Sequence, residues 1–268
     1  DMPIFAPFSY LANPIVPPVP EWDPSQFTNA QYWWRADLGV TTTGTGVSDW
    51  EDQINGFTMV QGTDSKRPTA STGSQLNNQA VIRTNGTSDY LYTTTSPAAL
   101  TNSPSGDFTH LIVFDVNSVN TYGTIGGVQR VVAGGARYWL DTLNGNLRLF
   151  DNGLSAVGDT NATVKTTPIG GPRAFKFRYD SSAGSGYYAL DTLTETLKGS
   201  TATSNKQWLT DVTMAFGALV NGIGGTVFGG RYSGMDMAEQ VMIYGTPSAA
   251  EMTEWKTYVN NRYGTIIS

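Results

Sequence analysis

The feature that most limits what this chain can fold into is its punctuation. Short runs rich in Val, Ile, Thr and aromatic residues alternate with Asn-Gly, Gly-Gly and Asp-Ser-Ser clusters, the spacing of an all-β sandwich. Strands are predicted at residues 80–83, 90–93, 108–116, 137–142, 146–150, 173–179, 186–190, 211–216 and 235–244. The sharpest hairpin signal is Asn144-Gly145, two residues suited to the positive φ angles of a type I′ turn. That turn sets a register in which Leu140 meets Leu149, Asp141 meets Arg148 and Trp139 meets Phe150. One helix is expected, near the C-terminus. There Ser248 and Glu251 form a capping box, Met252, Trp255 and Val259 recur at helical spacing, and Gly264 stops the run.

Composition excludes several chemistries. The chain has no cysteine and one histidine, His110, so disulfides, thiolate nucleophiles, Cys-ligated metals and any two-imidazole site are ruled out. Sixteen basic residues stand against 22 acidic ones, giving a net charge of −6. Without a basic cluster, nucleic acid is not an expected partner. No apolar run is long enough to span a bilayer. No signal peptide is visible, and a chain beginning at Asp1 is expected to have been processed or trimmed.

Residues 1–30 stand apart as an extended, proline-rich N-terminal arm, with residues 31–268 as the folded domain. Pro3, Pro7, Pro14, Pro17, Pro18 and Pro20 break any ladder or helix, while Ile4, Phe5, Phe8, Tyr10, Leu11, Ile15 and Val16 are poorly suited to water. The arm is expected to dock on other proteins of a particle or surface or on a sister subunit, making the protein oligomeric or particle-bound. The alternative is that it wraps its own sandwich.

Segments in order along the chain resemble LamG-like domains of the concanavalin A-like lectin/glucanase superfamily. They are Trp33-Trp34-Arg35-Ala36-Asp37-Leu38 with Val47-Ser48-Asp49-Trp50-Glu51-Asp52, then Gln61 with Arg67-Pro68-Thr69, then Val81-Ile82-Arg83-Thr84-Asn85-Gly86-Thr87-Ser88-Asp89-Tyr90-Leu91, and finally Met237–Tyr244 followed by the capped helix. Thr84 stands where that family usually has Phe. The resemblance implies an antiparallel jelly-roll β-sandwich and a role in carbohydrate binding, adhesion or surface display. The expected setting is a virion surface, most simply that of a bacteriophage, or an extracellular one. It also admits one calcium ion, with Asp89, Asp107, Asp115 and Asp236 near strand ends as candidate ligands, although no Asp-x-Asp-x-Asp loop exists.

Catalysis is not expected. The Glu-x-Asp-x-x-Glu strand of retaining glucanases is absent, and no Gly-x-Ser-x-Gly elbow exists. His110 reads as a half-buried histidine in a strand rather than a general base. Trp34, Asp37, Trp50, Asp52 and Asp89 read as buried indoles and turn-capping carboxylates. One hairpin face combines Trp139 and Phe150 with Asp141, Arg148 and Arg137. It is either an aromatic platform with polar partners for a glycan, or core packing with a rim ion pair. The function expected is a non-catalytic, lectin-like surface protein. The alternatives are a purely structural decoration or tail component and a secreted polysaccharide-active enzyme.

Overall fold

The computed structural model describes residues 22–96, 107–118, 122–130, 137–152, 160–166, 170–200, 212–221 and 226–268. In chain order the strands are β1 (Ala30–Arg35), β2 (Val40–Thr43), β3 (Gly46–Glu51), β4 (Thr58–Val60), β5 (Thr69–Gly73), β6 (Gln79–Asn85) and β7 (Leu91–Thr93). Next come β8 (Phe108–Ser118), β9 (Tyr122–Arg130), β10 (Arg137–Leu143), β11 (Asn146–Asn152), β12 (Thr160–Lys165), β13 (Pro172–Asp180), β14 (Ser185–Leu190) and β15 (Thr196–Ser200). The chain ends with β16 (Val212–Phe216), β17 (Ala218–Asn221), β18 (Thr226–Tyr232), β19 (Gly234–Tyr244) and helix α1 (Ala249–Tyr263).

These strands form two sheets packed face to face, almost wholly antiparallel. The first has eight strands in the order β15-β14-β13-β8-β19-β6-β5, with β1 also paired to β19. The second has eleven, in the order β12-β11-β10-β9-β16-β7-β4-β3-β2, with the β17–β18 hairpin attached off that path. Non-consecutive neighbours such as β8 beside β19 and β9 beside β16 give the crossed connectivity of a jelly roll. The predicted all-β sandwich with one C-terminal helix is the observed fold.

Alternation along β1 explains why the sandwich has three layers rather than two. Trp34 points into the space between the sheets, beside Trp50, Phe114, Tyr138, Leu140, Leu149 and Phe216. Its neighbour Trp33 points the other way, into a second apolar layer with Leu111, Val113, Val241 and Ile243. Helix α1 closes that layer with Met252, Trp255, Tyr258, Val259 and Tyr263. Strands β8 and β19 are therefore buried on both faces along nearly their whole length, which is why they carry the unbroken apolar runs Leu111–Phe114 and Val241–Ile243.

The helix starts as predicted. The Ser248 hydroxyl accepts from the Glu251 amide at 3.2 Å, and Glu251 accepts from the Ser248 amide at 2.7 Å. Glu251 also accepts from the amide of Thr28 at 2.7 Å, tying the helix start to the segment before β1. Hydrogen bonds from the Thr28 amide and from Ser248 hold its carboxyl well down, to about 2. Trp22 packs edge-on against Phe27 and Tyr258, and Phe27 and Ala30 join the same apolar layer, so this stretch of the expected 1–30 arm lies against its own domain. The arm residues Ile4, Phe5, Phe8, Tyr10, Leu11, Ile15 and Val16 lie outside the described residues.

A buried carboxylate joins helix to sheet. Glu239 on β19 is fully enclosed and accepts hydrogen bonds from the Trp33 indole, from Tyr258 at 3.1 Å and from Tyr263 at 2.6 Å. Burial pushes its carboxyl from 4.5 up to about 7, against the opposing pull of those donors and of Arg35. An acid raised in this way is protonated at low pH in both the folded and unfolded states and costs nothing there. Above pH 4.5 the unfolded chain ionises first, so stability falls until the folded carboxyl has ionised beyond about pH 7. In urea titrations, Glu239→Gln should gain on the wild type by roughly 3 kcal/mol between pH 4 and 8. A pH-independent difference between the two would rule this out.

Candidate functional site

The N-terminal motif residues are joined by structural bonds. The Trp34 indole donates to the carbonyls of Trp50 and Phe57, each at 3.1 Å, and the Trp50 indole donates to the Arg35 carbonyl at 3.1 Å. Asp52 caps the following turn, accepting from the amides of Ile54 at 2.8 Å, Asn55 at 3.1 Å and Phe57 at 2.6 Å. Asp37 bridges Arg35 and Arg262. Thr84 lies buried, and its hydroxyl bonds the Ser233 carbonyl and the Met235 amide, so a polar tie stands where the resembled family has a ring.

The β10–β11 hairpin has the predicted register, with Leu140 opposite Leu149, Asp141 opposite Arg148, Trp139 opposite Phe150 and Arg137 opposite Asn152. Asn144 and Gly145 have φ of 49° and 83°, as the type I′ turn requires. Leu140 and Leu149 enter the space between the sheets. Trp139 and Phe150 stack on the opposite face with centroids 3.9 Å apart, covered by Leu219 of β17. Arg148 clasps Asp141 through two bonds of 2.9 and 2.8 Å, and the Trp139 indole donates to Asp141 at 3.2 Å. Trp139 is 3% exposed and Asp141 0%, so neither reading of this face is met in full. The rings do not present an open platform, and the ion pair is not at a rim. Trp139→Ala should therefore lower stability by roughly 3–5 kcal/mol in thermal or urea unfolding. An unchanged melt would mean that the indole contributes little to packing.

His110 is fully buried rather than half-buried. Its Nδ1 meets the Tyr138 hydroxyl, and burial lowers its pKa to about 3, so it stays neutral across the physiological range. The carboxylates considered for calcium are dispersed. Asp107 caps Ser181, Asp89 accepts from Ser88, and only Asp115 and Asp236 are cross-strand partners. Among the described residues no group of three or more His, Cys, Asp or Glu side chains is placed to hold a metal.

A polar cleft opens instead at one end of the first sheet, where β6 and β8 finish and β19 begins. It is a shallow, open depression of about 440 Å³, lined by Arg83, Thr84, Asn85, Asn117, Ser118 and Gly234. Arg83 is held in place from below. Its Nε and Nη2 donate to the two oxygens of Asp236 at 2.6 and 2.7 Å, and Nη2 also reaches the Thr72 carbonyl at 3.2 Å. Asn117 donates through Nδ2 to Asp236 at 2.7 Å, which leaves its Oδ1 as an acceptor. Asp115, opposite Asp236, accepts from the Gly171 amide at 3.0 Å. Burial raises its pKa, and the charge of Asp236 adds to the rise. Gly234 forms the floor, because a Cβ there would lie 2.2 Å from the Ser118 hydroxyl. Sequence reading singled out Asp115 and Asp236 but missed Arg83, Asn117, Ser118 and Gly234 as a group. The one available signal was Arg83, a lone charge within an otherwise uncharged strand.

No family model matches the chain, and no curated protein matches it. Solved structures do. An arabinofuranosidase complexed with arabinofuranosyl-alpha-1,2-xylobiose matches at TM-score 0.55 and 12% identity, over 90% of this chain and 60% of that one. A botulinum neurotoxin type C structure, described by its dependence on two ganglioside molecules for cell entry, matches at TM-score 0.54 and 8% identity, over 86% and 51%. A Trypanosoma rangeli sialidase matches at TM-score 0.51 and 11% identity, over 87% and 33%. This chain thus spans a third to three fifths of those proteins.

At these identities the likeness shows a shared β-sandwich. It also corrects the expectation that the chain is not an enzyme. The sandwich occurs in arabinofuranosidase and sialidase structures, so a missing glucanase carboxylate motif does not exclude catalysis. Among the described residues no helix is long and apolar enough to cross a membrane.

Proposed function

We propose that this chain is a carbohydrate-recognition β-sandwich that contacts glycans at the surface of a particle or cell. The observation that carries this reading is the cleft over Arg83. Its lining residues bring guanidinium, amide and hydroxyl groups together with carbon surface, held in place by β6, β8 and β19 rather than by a long loop. Its volume lies in the range of small-ligand sites. The fold shared with a toxin structure described by its ganglioside interaction and with two glycosidases supports the same reading. The finer setting, a bacteriophage virion surface with the proline-rich arm as tether, rests on the sequence resemblance and on the arm's run of prolines and apolar residues.

An oligosaccharide array is the direct test. Binding should appear at sub-millimolar affinity and fall about fivefold or more in Gly234→Ala, which crowds the cleft floor, with little change in melting temperature. Reducing-sugar release from the same glycans measures whether recognition leads to hydrolysis. Deleting residues 1–20 tests the tether. The truncated domain should keep its melting temperature and lose assembly in light scattering, whereas unfolding of the domain would assign the arm to the fold itself.

A further inference from the structure

The charges around the cleft are already matched before any ligand arrives. Arg83 is the one cationic side chain lining it, and the fork that would grip an incoming carboxylate, Nε with Nη2, is occupied by Asp236. What remains is Nη1, whose two N–H donors sit on one nitrogen and do not form the parallel pair of the Nε–Nη2 edge. Asp115 lies across the strand pair from Asp236 and adds further acidic character. Arg173, whose charge is felt at Asp115, is paired to Asp191 at 2.9 Å. A carboxylated ligand would meet an Arg83 whose charge is already offset by Asp236 beneath it, with the buried Asp115 close by, and among the described residues no second cation lines the cleft.

The directional groups point the same way. Asn117 must turn its Nδ2 to Asp236, because a carboxylate only accepts, so its Oδ1 faces outward as an acceptor. Ser118 supplies a hydroxyl that donates and accepts. A donor edge, an acceptor and a hydroxyl together complement sugar hydroxyls, which do both. A carboxylate would set acceptor against acceptor at Asn117.

We infer that this cleft takes a neutral, hydroxyl-rich saccharide and discriminates against sialylated and uronate-bearing ones. This inference rests on the glycan-binding reading above and adds the ligand class.

The experiment uses the full chain, titrated calorimetrically with neutral gluco-, galacto- and arabino-oligosaccharides and with sialylated and uronate-containing counterparts, at low salt and at high salt. Neutral ligands should bind with affinities that change less than about twofold with salt, and acidic ones should bind about tenfold more weakly. Asp236→Asn frees the Arg83 fork and should raise affinity for acidic sugars about fivefold in low salt, with the gain lost in high salt. Asp115→Asn, which leaves the Arg83 clasp intact, should give a smaller gain in the same direction and serves if Asp236→Asn does not fold. Acidic sugars binding as tightly as neutral ones would overturn the inference. So would neutral binding that Gly234→Ala leaves unchanged, since the glycan would then sit elsewhere while the broader reading stands. Absence of binding to either class would remove the glycan-binding reading itself.

Discussion

Burial of the first sheet on both faces is the constraint on which the rest of this structure depends. Strands β8 and β19 are packed between the aromatic layer that faces the second sheet and the layer that faces helix α1. At about 25 cal/mol per Å² of apolar surface removed from water, these two layers supply most of the drive to fold. Polar side chains within those strands must then be neutral or fully partnered. His110 is held neutral, and Glu239 gathers donors from Trp33, Tyr258 and Tyr263. Toward one end of the strands the outer face of this sheet carries Arg83, Asp236 and Asp115, and on β13 it carries Lys176 and Arg178, both paired to Glu195.

That geometry explains where a cleft can open. The helix-covered part of the first sheet is sealed, and on the hairpin of the second sheet the Trp139–Phe150 stack lies under Leu219. At the ends of β6 and β8 a glycine and short polar residues replace the aromatic ones. The cleft is thus a consequence of how the layers are covered.

Few charges are present, and those described are mostly committed to specific partners. Arg35 and Arg262 share Asp37, Lys176 and Arg178 share Glu195, and Arg148 is clasped to Asp141. Several of these pairs are substantially buried, so their value is geometric as much as energetic: they fix the approach of strands and helix. Arg83 differs because its side chain remains 44% exposed while its acidic partner beneath is 3% exposed. It combines a fixed base with an accessible edge.

Much of this was determined by local sequence. Asn144-Gly145 sets the β10–β11 register because only a turn tolerant of two positive φ angles closes that hairpin, and period-two alternation then places Leu140 and Leu149 inward. Ser248 and Glu251 start the helix because their groups satisfy amides three residues apart. Tertiary structure decided what covers each face and which distant ends meet. Alternation put Trp139 and Phe150 on one side of the hairpin, but it carried no information that β17, some eighty residues later, would lie across them. Nor could it place Arg83, Asn117 and Gly234 around one cleft, since strand order within a sheet is set by long-range packing rather than by proximity along the chain.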